Sequence, residues 1–314
     1  MKHLERALDG QNPWWKYLVV FIITFIATNL IGAIPLGIVM VVKSLGNGNL
    51  APNPDNVADL SAYGIPSNQG LILLLFPFLV GLITLIVLLK PFHKRTYKEV
   101  INGTNRLRWS RFFTGAVVWF VLMGIYLAVN YFLVPDNFQI QFNPASLLAL
   151  VAISLLLIPF QTTYEELFFR GYLAQGVAAW TLNRWMVLII PSFIFGLMHV
   201  FNPEVKEFGF WLTMPQYWLF GLFFGLISIL DDGIEIAMGV HAANNIFASV
   251  MVTHSSSVLQ TDALLIQKQV DPLHETLYFI LISIVFILLL NRRYNWNFNI
   301  MQVKIRKEEI TPES

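Results

Sequence analysis

The sequence predicts an all-α protein, a polytopic bundle of about eight transmembrane helices that forms a single membrane domain over residues 1–314. Of the 314 residues, 56% are apolar and only 12% are charged, about half the charged fraction of a soluble domain. The apolar residues form eight stretches that approach the length of a membrane span. Basic residues fall mostly into alternate connections between these stretches, as is typical of multi-pass membrane proteins.

The eight stretches differ in strength, and the fifth and seventh, each containing a histidine, are the weakest. The longest connection, about 44–68, is rich in Gly, Asn, Pro and Asp, which predicts a flexible loop. The predicted spans are roughly 17–42, 69–90, 112–134, 145–165, 185–201, 213–230, 234–252 and 275–291.

The distribution of Lys and Arg predicts an orientation in which both termini are cytoplasmic. With the N-terminus inside, nearly all of the 20 basic residues fall on the inner side, including Arg306 and Lys307 near the C-terminus. Only Lys43, Lys206 and Lys268 fall outside. We expect the basic connection 90–111 to rest on anionic membrane lipids.

Composition also excludes several kinds of chemistry. The chain has no cysteine, so disulfides, a thiolate nucleophile and thiolate metal ligands are impossible. A net charge of +1 gives no support for a nucleic-acid partner.

Glu165, Glu166 and Arg170 are the first candidate functional residues, because ionisable groups inside a bilayer are costly and usually functional. Residues four apart share a helix face, so Arg170 is expected to neutralise Glu166. Glu165 points about 100° away and is left free to face a cavity. The alternative is an interfacial Glu–Arg cluster at the end of a span.

His199, His241 and Asn245 bring polar side chains into two further predicted helices. His241 and Asn245 are four residues apart and share a face. Alternatively, His199 is a span-end histidine bonded to a backbone carbonyl, and His241 with Asn245 is an interhelical hydrogen-bonding pair. Since unpaired polar groups are costly in an apolar bundle, we expect the side chains of the three helices to converge.

The three motifs together resemble those of the CAAX protease and bacteriocin-processing family, also called Abi, whose members are intramembrane endopeptidases. In this chain they read Glu-Glu-x-x-x-Arg from Glu165, Phe-x-x-x-His from Phe195 and His-x-x-x-Asn from His241. The resemblance covers about 145–252, the expected catalytic core. It implies an integral membrane protein, expected in the plasma membrane of a bacterial cell, and a peptide or protein substrate that is membrane-embedded or carries a lipid.

The resemblance also implies roles for individual residues. Glu165 is the general base, and His199 helps to hold the attacking water. His241 and Asn245 stabilise the oxyanion, while Glu166 and Arg170 support the structure. These roles agree with the general chemistry of the side chains, because Glu and His activate water and His and Asn donate hydrogen bonds.

Two alternatives concern cofactors and function. We expect catalysis without a metal, but Glu165, His199 and His241 are the residues that would hold zinc if one were present. Membrane Glu, His and Asn also occur in transporters, although no inverted repeat is visible. A third reading is a catalytically silent immunity or scaffold protein on the same fold.

Simple counting of helical rise places Glu165, His199 and His241 at different depths in the bilayer. Their depths agree if the fourth helix starts later than 145 and continues past Arg170 to about Ala178, or if the helices tilt strongly. We favour the first arrangement, in which the fourth helix starts later and continues past Arg170, because apolar residues continue after the two acids.

Overall fold

The computed structural model describes residues 2–47 and 60–306, and in this part of the chain eight long helical segments lie side by side. The first segment joins α1 to α2 through a π-helix at Ala27–Ile31, and the fourth joins α6 to α7 through a π-helix at Leu167–Leu173. The α-helices are α1 (Trp14–Ile26), α2 (Ile34–Asn47), α3 (Ser67–His93), α4 (Tyr97–Asn102), α5 (Trp109–Leu133), α6 (Pro144–Glu166), α7 (Ala174–Thr181), α8 (Arg184–Leu197), α9 (Pro203–Phe208), α10 (Phe210–Leu230), α11 (Glu235–Val250) and α12 (Pro272–Tyr294).

This architecture confirms the all-α transmembrane class. Six of the eight segments are long and apolar enough to cross a membrane. The fifth and seventh predicted spans correspond to α8 and α11, whose 14 and 16 residues extend only about 21 and 24 Å. The count of eight spans therefore stays a prediction. Of the predicted flexible loop at about 44–68, residues 48–59 lie outside the described residues, and the described part includes a short 3-10 helix at Leu60–Tyr63.

Both described terminal segments lie at one end of the bundle, which we call the basic end; it includes residues 2–13, the connection 94–108, the turn 231–233 and residues 295–306. The backbone N–H groups of Lys2 and His3 donate to the Asp232 carboxylate over 2.8–3.0 Å. Arg108 pairs with Glu235 at 2.5 Å and with Asp231 at 3.2 Å. The predicted side of the membrane for this end stays a prediction, and Lys307 lies outside the described residues.

A small sheet that the sequence analysis did not predict covers part of the opposite end, which we call the sheet end. Its strand order is β1-β3-β2, with β1 antiparallel and β2 parallel to β3. Nearby, Asp262 accepts hydrogen bonds from Ser67 at 2.9 Å and Ser146 at 2.6 Å, which ties the starts of α3 and α6 together. The strands are β1 (Phe138–Ile140), β2 (Val252–Thr253) and β3 (Leu265–Gln267).

Local sequence signals fix where several helices begin. Asn143 caps α6 by accepting from Ser146 N–H, and Pro144 occupies the first turn, where its missing N–H costs nothing. Asn183 caps α8 in the same way. Thr96 and Glu99 form a reciprocal capping box at α4. These caps set the register in which the polar residues of α6 and α8 enter the bundle.

The helices α5 and α11 approach closely, because glycines face the partner backbone on both. A Cβ atom built on Gly239 would lie 2.0 Å from the Phe112 carbonyl oxygen, and one on Gly115 would lie 2.7 Å from the Ile236 carbonyl oxygen. Small residues allow such approach between membrane helices. Gly239 lies two residues before His241, so this close contact fixes the part of α11 that carries His241.

We expect Gly239→Val to destabilise the protein by about 1–3 kcal/mol or more, because the side chain must displace the backbone of α5. The thermal unfolding temperature in detergent measures this loss. Gly124→Val is the matched control: it lies on α5, where a Cβ meets nothing within 4 Å. An unchanged unfolding temperature for Gly239→Val would contradict the close helix crossing.

Candidate active site

The two adjacent glutamates lie at the junction between α6 and the π-helix Leu167–Leu173, which carries Arg170. Glu166 is 0% and Arg170 is 2% exposed, and Arg170 Nη1 lies 2.9 Å from Glu166 Oε1. The predicted pairing of these residues is therefore confirmed. The wider turn of a π-helix is often found at functional sites, and here it places a buried cation one turn after a buried carboxylate.

Aromatic rings and one carbonyl of neighbouring helices hold the Arg170 guanidinium. The guanidinium carbon, Cζ, lies 4.1 Å from the centre of the Phe195 ring and 5.1 Å from that of Phe224. Its Nη2 donates to the Gly221 carbonyl of α10 over 3.3 Å. Because Arg170 thus contacts both α8 and α10, the ion pair is part of the packing that joins three helices.

Glu166 has a second partner that sequence reasoning did not identify. Its Oε1 lies 2.7 Å from His241 Nδ1 on α11. An ionised carboxylate can only accept, so the proton of this hydrogen bond is on Nδ1. The imidazole also stacks on Phe224, with ring centres 4.9 Å apart. Glu166 therefore fixes the orientation of His241 in addition to pairing with Arg170.

Glu165 is 9% exposed, and its two oxygens have different surroundings. Oε1 accepts a hydrogen bond of 2.6 Å from Gln161, one turn earlier on α6. Oε2 has no hydrogen-bond partner in the described part of the chain and lies 3.6 Å from His241 Nε2. The helical phase thus separates the two acids as expected, with Glu166 bound by Arg170 and Glu165 keeping one oxygen available.

Gln161 is a site residue that the sequence analysis missed. Its side-chain oxygen accepts from Asn245 Nδ2 over 3.1 Å, while its nitrogen donates to Glu165. The amide therefore bridges α6 and α11 and links two predicted site residues. Its position four residues before Glu165 is the signal that could have identified it.

His199 lies in the turn that follows α8. Its Nδ1 is 2.8 Å from the Phe195 carbonyl oxygen, so Nδ1 donates and Nε2 keeps its lone pair. The hydrogen bond to a backbone carbonyl, which the alternative reading of His199 expected, is thus present, and it involves only Nδ1. The centre of the Phe195 ring lies 4.6 Å from that of His199, 6.2 Å from that of His241 and 4.1 Å from the guanidinium carbon of Arg170. The structure therefore brings all six predicted residues into one cluster.

A metal ion in this site would need the predicted alternative ligands Glu165, His199 and His241. Among the described residues, no group of three or more His, Cys, Asp or Glu side chains could hold a metal ion. The Nδ1 atoms of both histidines are bonded to protein acceptors, as is also usual in histidines that bind a metal through Nε2. Metal-free catalysis stays a prediction, with zinc as its alternative.

Chemically, the cluster combines a Glu165 oxygen without a hydrogen-bond partner among the described residues, a His199 nitrogen with an available lone pair, an amide N–H donor of Asn245 and, when Nε2 is protonated, an N–H donor of His241. An amide nitrogen carries two hydrogens, so Asn245 can donate to Gln161 and to one further acceptor. Such a set can deprotonate a water molecule and stabilise a developing oxyanion.

The chain resembles known proteins both locally and along most of its length. A family model described as type II CAAX prenyl endopeptidase Rce1-like matches residues 144–247, a range that includes all six predicted site residues. The chain is also 29% identical over 289 residues to the uncharacterized protein YyaK of Bacillus subtilis (strain 168), covering 91% of this chain and 94% of the relative. No solved structure matches. The protein is thus an integral membrane protein whose residues 144–247 have the predicted resemblance to the CAAX protease family.

Proposed function

We propose that the protein is an intramembrane endopeptidase that hydrolyses a peptide bond of a membrane-associated peptide or protein with a water molecule activated by Glu165. The observation that carries this proposal is the convergence of Glu165, His241 and Asn245 around the Gln161 bridge in an otherwise apolar bundle. The match to a protease family supports the same class of reaction.

In the proposed mechanism, Glu165 Oε2 removes a proton from water that His199 Nε2 helps to hold. The resulting hydroxide attacks the carbonyl carbon, and the oxyanion accepts hydrogen bonds from Asn245 Nδ2–H and from His241 Nε2–H, for which His241 carries a proton on both ring nitrogens. Glu165 then gives its proton to the leaving nitrogen as the C–N bond breaks. Glu166 and Arg170 support this step: Glu166 keeps His241 oriented and Arg170 balances the Glu166 charge.

Further parts of the proposal concern substrate, cofactor and location. The substrate is a peptide or protein, embedded in the membrane or attached to it by a lipid, and no nucleic acid is involved. The reaction needs no cofactor, with zinc as the alternative. The protein lies in the plasma membrane of a bacterial cell, with anionic lipids against its basic end. The match to a Bacillus subtilis protein supports the bacterial location.

The proposal is tested by reconstituting the purified protein into liposomes with a library of hydrophobic peptides and searching for products by mass spectrometry. Comparative peptidomics of cells that express wild-type or Glu165→Gln protein supplies natural candidates. Cleavage that depends on Glu165 supports the peptidase. Solute flux across the vesicles without cleavage would favour a transporter. A stable partner with neither activity would favour a scaffold.

We expect Gln161→Leu to lower kcat about 10- to 100-fold with little change in KM, because a hydrogen bond to a charged group is worth about 1.5–3 kcal/mol. The substitution keeps the volume but removes the bridge between Glu165 and Asn245. Steady-state kinetics on a cleaved peptide measures the effect.

Thr162→Val is the matched control for this prediction. Thr162 is the next residue of α6, is equally buried, and donates only to carbonyls of its own helix. We expect its kcat to stay near the wild-type value. Equal rates for both variants would remove Gln161 from the site.

A further inference from the structure

The imidazole of His199 has two aromatic neighbours. Its centre is 4.6 Å from that of Phe195, whose ring is tilted by 51°, and 4.4 Å from that of Tyr217, whose ring is nearly parallel to it, with an angle of 24°. Phe195 lies on α8, just before the turn that carries His199, whereas Tyr217 lies on α10. One face of the imidazole is therefore covered by Tyr217, a residue to which the three motifs assign no role.

The hydroxyl of Tyr217 is held by polar groups at the sheet end. It accepts a hydrogen bond of 2.9 Å from Asn202 Nδ2 and donates to Glu204 Oε2 over 3.4 Å. The other Glu204 oxygen accepts from the backbone N–H of Val258 over 3.0 Å. Through these contacts the ring is fixed relative to α9 and to the loop between β2 and β3.

The stacked Tyr217 ring matters because His199 has only one hydrogen bond, to Phe195, and must present its other nitrogen to water. A neutral hydrogen bond alone favours one ring orientation over another by only about tenfold. A stacked neighbour restricts the plane of the imidazole and adds a preference of about two- to tenfold. Stacking restrains the plane of the imidazole, whereas the hydrogen bond restrains the position of Nδ1.

We propose that Tyr217 is a positioning residue, which holds the His199 ring so that Nδ1 binds the Phe195 carbonyl and Nε2 faces the attacking water. The inference rests on the proposed peptidase function for its kinetic consequence. The orientation of His199 is a property of the resting protein and can be measured without a substrate.

The test compares Tyr217→Leu and Tyr217→Phe with the wild-type protein in two measurements. The first is ¹⁵N NMR of histidine-labelled protein, in which the His199 signals are assigned with His199→Gln. We expect a single Nδ1–H tautomer in the wild type and in Tyr217→Phe, and a mixture in Tyr217→Leu. The second is kinetics, where we expect kcat for Tyr217→Leu to fall about tenfold at nearly constant KM, and Tyr217→Phe to stay within about threefold of wild type.

Tyr131→Leu is the matched control, since Tyr131 is a half-buried tyrosine that contacts the rings of Phe132 and Phe138 near β1. Unchanged His199 signals in Tyr217→Leu would overturn the proposal, and so would changed signals with an unchanged kcat. If Tyr217→Leu does not fold, Tyr217→Met removes the aromatic ring with a longer side chain and is judged by the same NMR criterion. A wild-type protein that cleaves nothing would refute the proposed function, while the NMR result would still decide whether Tyr217 orients His199.

Discussion

Glu165→Gln is expected to reduce kcat/KM by about 10³- to 10⁴-fold, near the upper end of what general acid–base catalysis contributes. The glutamine oxygen still accepts the hydrogen bond from Gln161, so the local geometry is retained. The amide cannot take a proton from water, however, and it cannot pass one to the leaving nitrogen. Initial rates on a cleaved peptide measure the loss.

The control for this prediction is Glu275→Gln, which removes another carboxylate in the first turn of α12. We expect that variant to keep the wild-type rate. Size-exclusion profiles and unfolding temperatures of both variants show whether the folded fraction has changed. Near-normal activity of Glu165→Gln would end the peptidase proposal, because the proposed mechanism has no other general base.

Arg170→Met is expected to lower the free energy of unfolding by about 3–5 kcal/mol, because it leaves the Glu166 charge buried without its cation. Glu166 is fully buried, so water cannot replace the lost partner. Thermal unfolding in detergent, followed by helical circular dichroism, measures the effect.

The double variant Glu166→Gln with Arg170→Met separates stability from catalysis. With both charges removed, we expect most of the stability to return, since neutral replacements of a buried ion pair are often tolerated. We expect activity to stay low, because His241 loses the carboxylate that orients it. Wild-type stability for Arg170→Met alone would show that the pair contributes little to the fold.

The sequence predicted most of the fold because hydrophobic segments of span length carry a strong signal. All eight predicted segments correspond to helices, and α8 and α11, the two weakest in apolar length, are also the two shortest of them. The three strands have only two or three residues each, too few for an alternating pattern, and their pairing depends on distant loops.

The site was predictable where contacts are local along a helix. The pairing of Glu166 with Arg170 follows from four-residue spacing. The contact between Glu166 and His241 joins positions 75 residues apart, and its geometry depends on how α6 and α11 cross. Gln161 was not predicted because burying an uncharged amide in an apolar run costs less than burying an acid, so its presence is a weaker signal.

The extent of the fourth helical segment was predicted in part. The segment continues past Arg170, as expected, and reaches Thr181, whereas the expected later start is wrong because the helix begins at Pro144. The π-helix that carries Arg170 has no distinctive composition, and its residues Leu167 and Phe169 belong to the hydrophobic core. The depth of the site in the bilayer stays a prediction.

The contact between the first residues and Asp232 has a consequence for biosynthesis. Asp232 is added to the chain 230 residues after Lys2, which at ribosomal speeds of about 5–20 residues per second is a delay of about 10–50 s. During that time the amides of Lys2 and His3 lack their final acceptor beside α11, while Arg184, the partner of Glu5, is made earlier, at the start of α8. The N-terminal segment therefore completes its contacts at the basic end only late in synthesis.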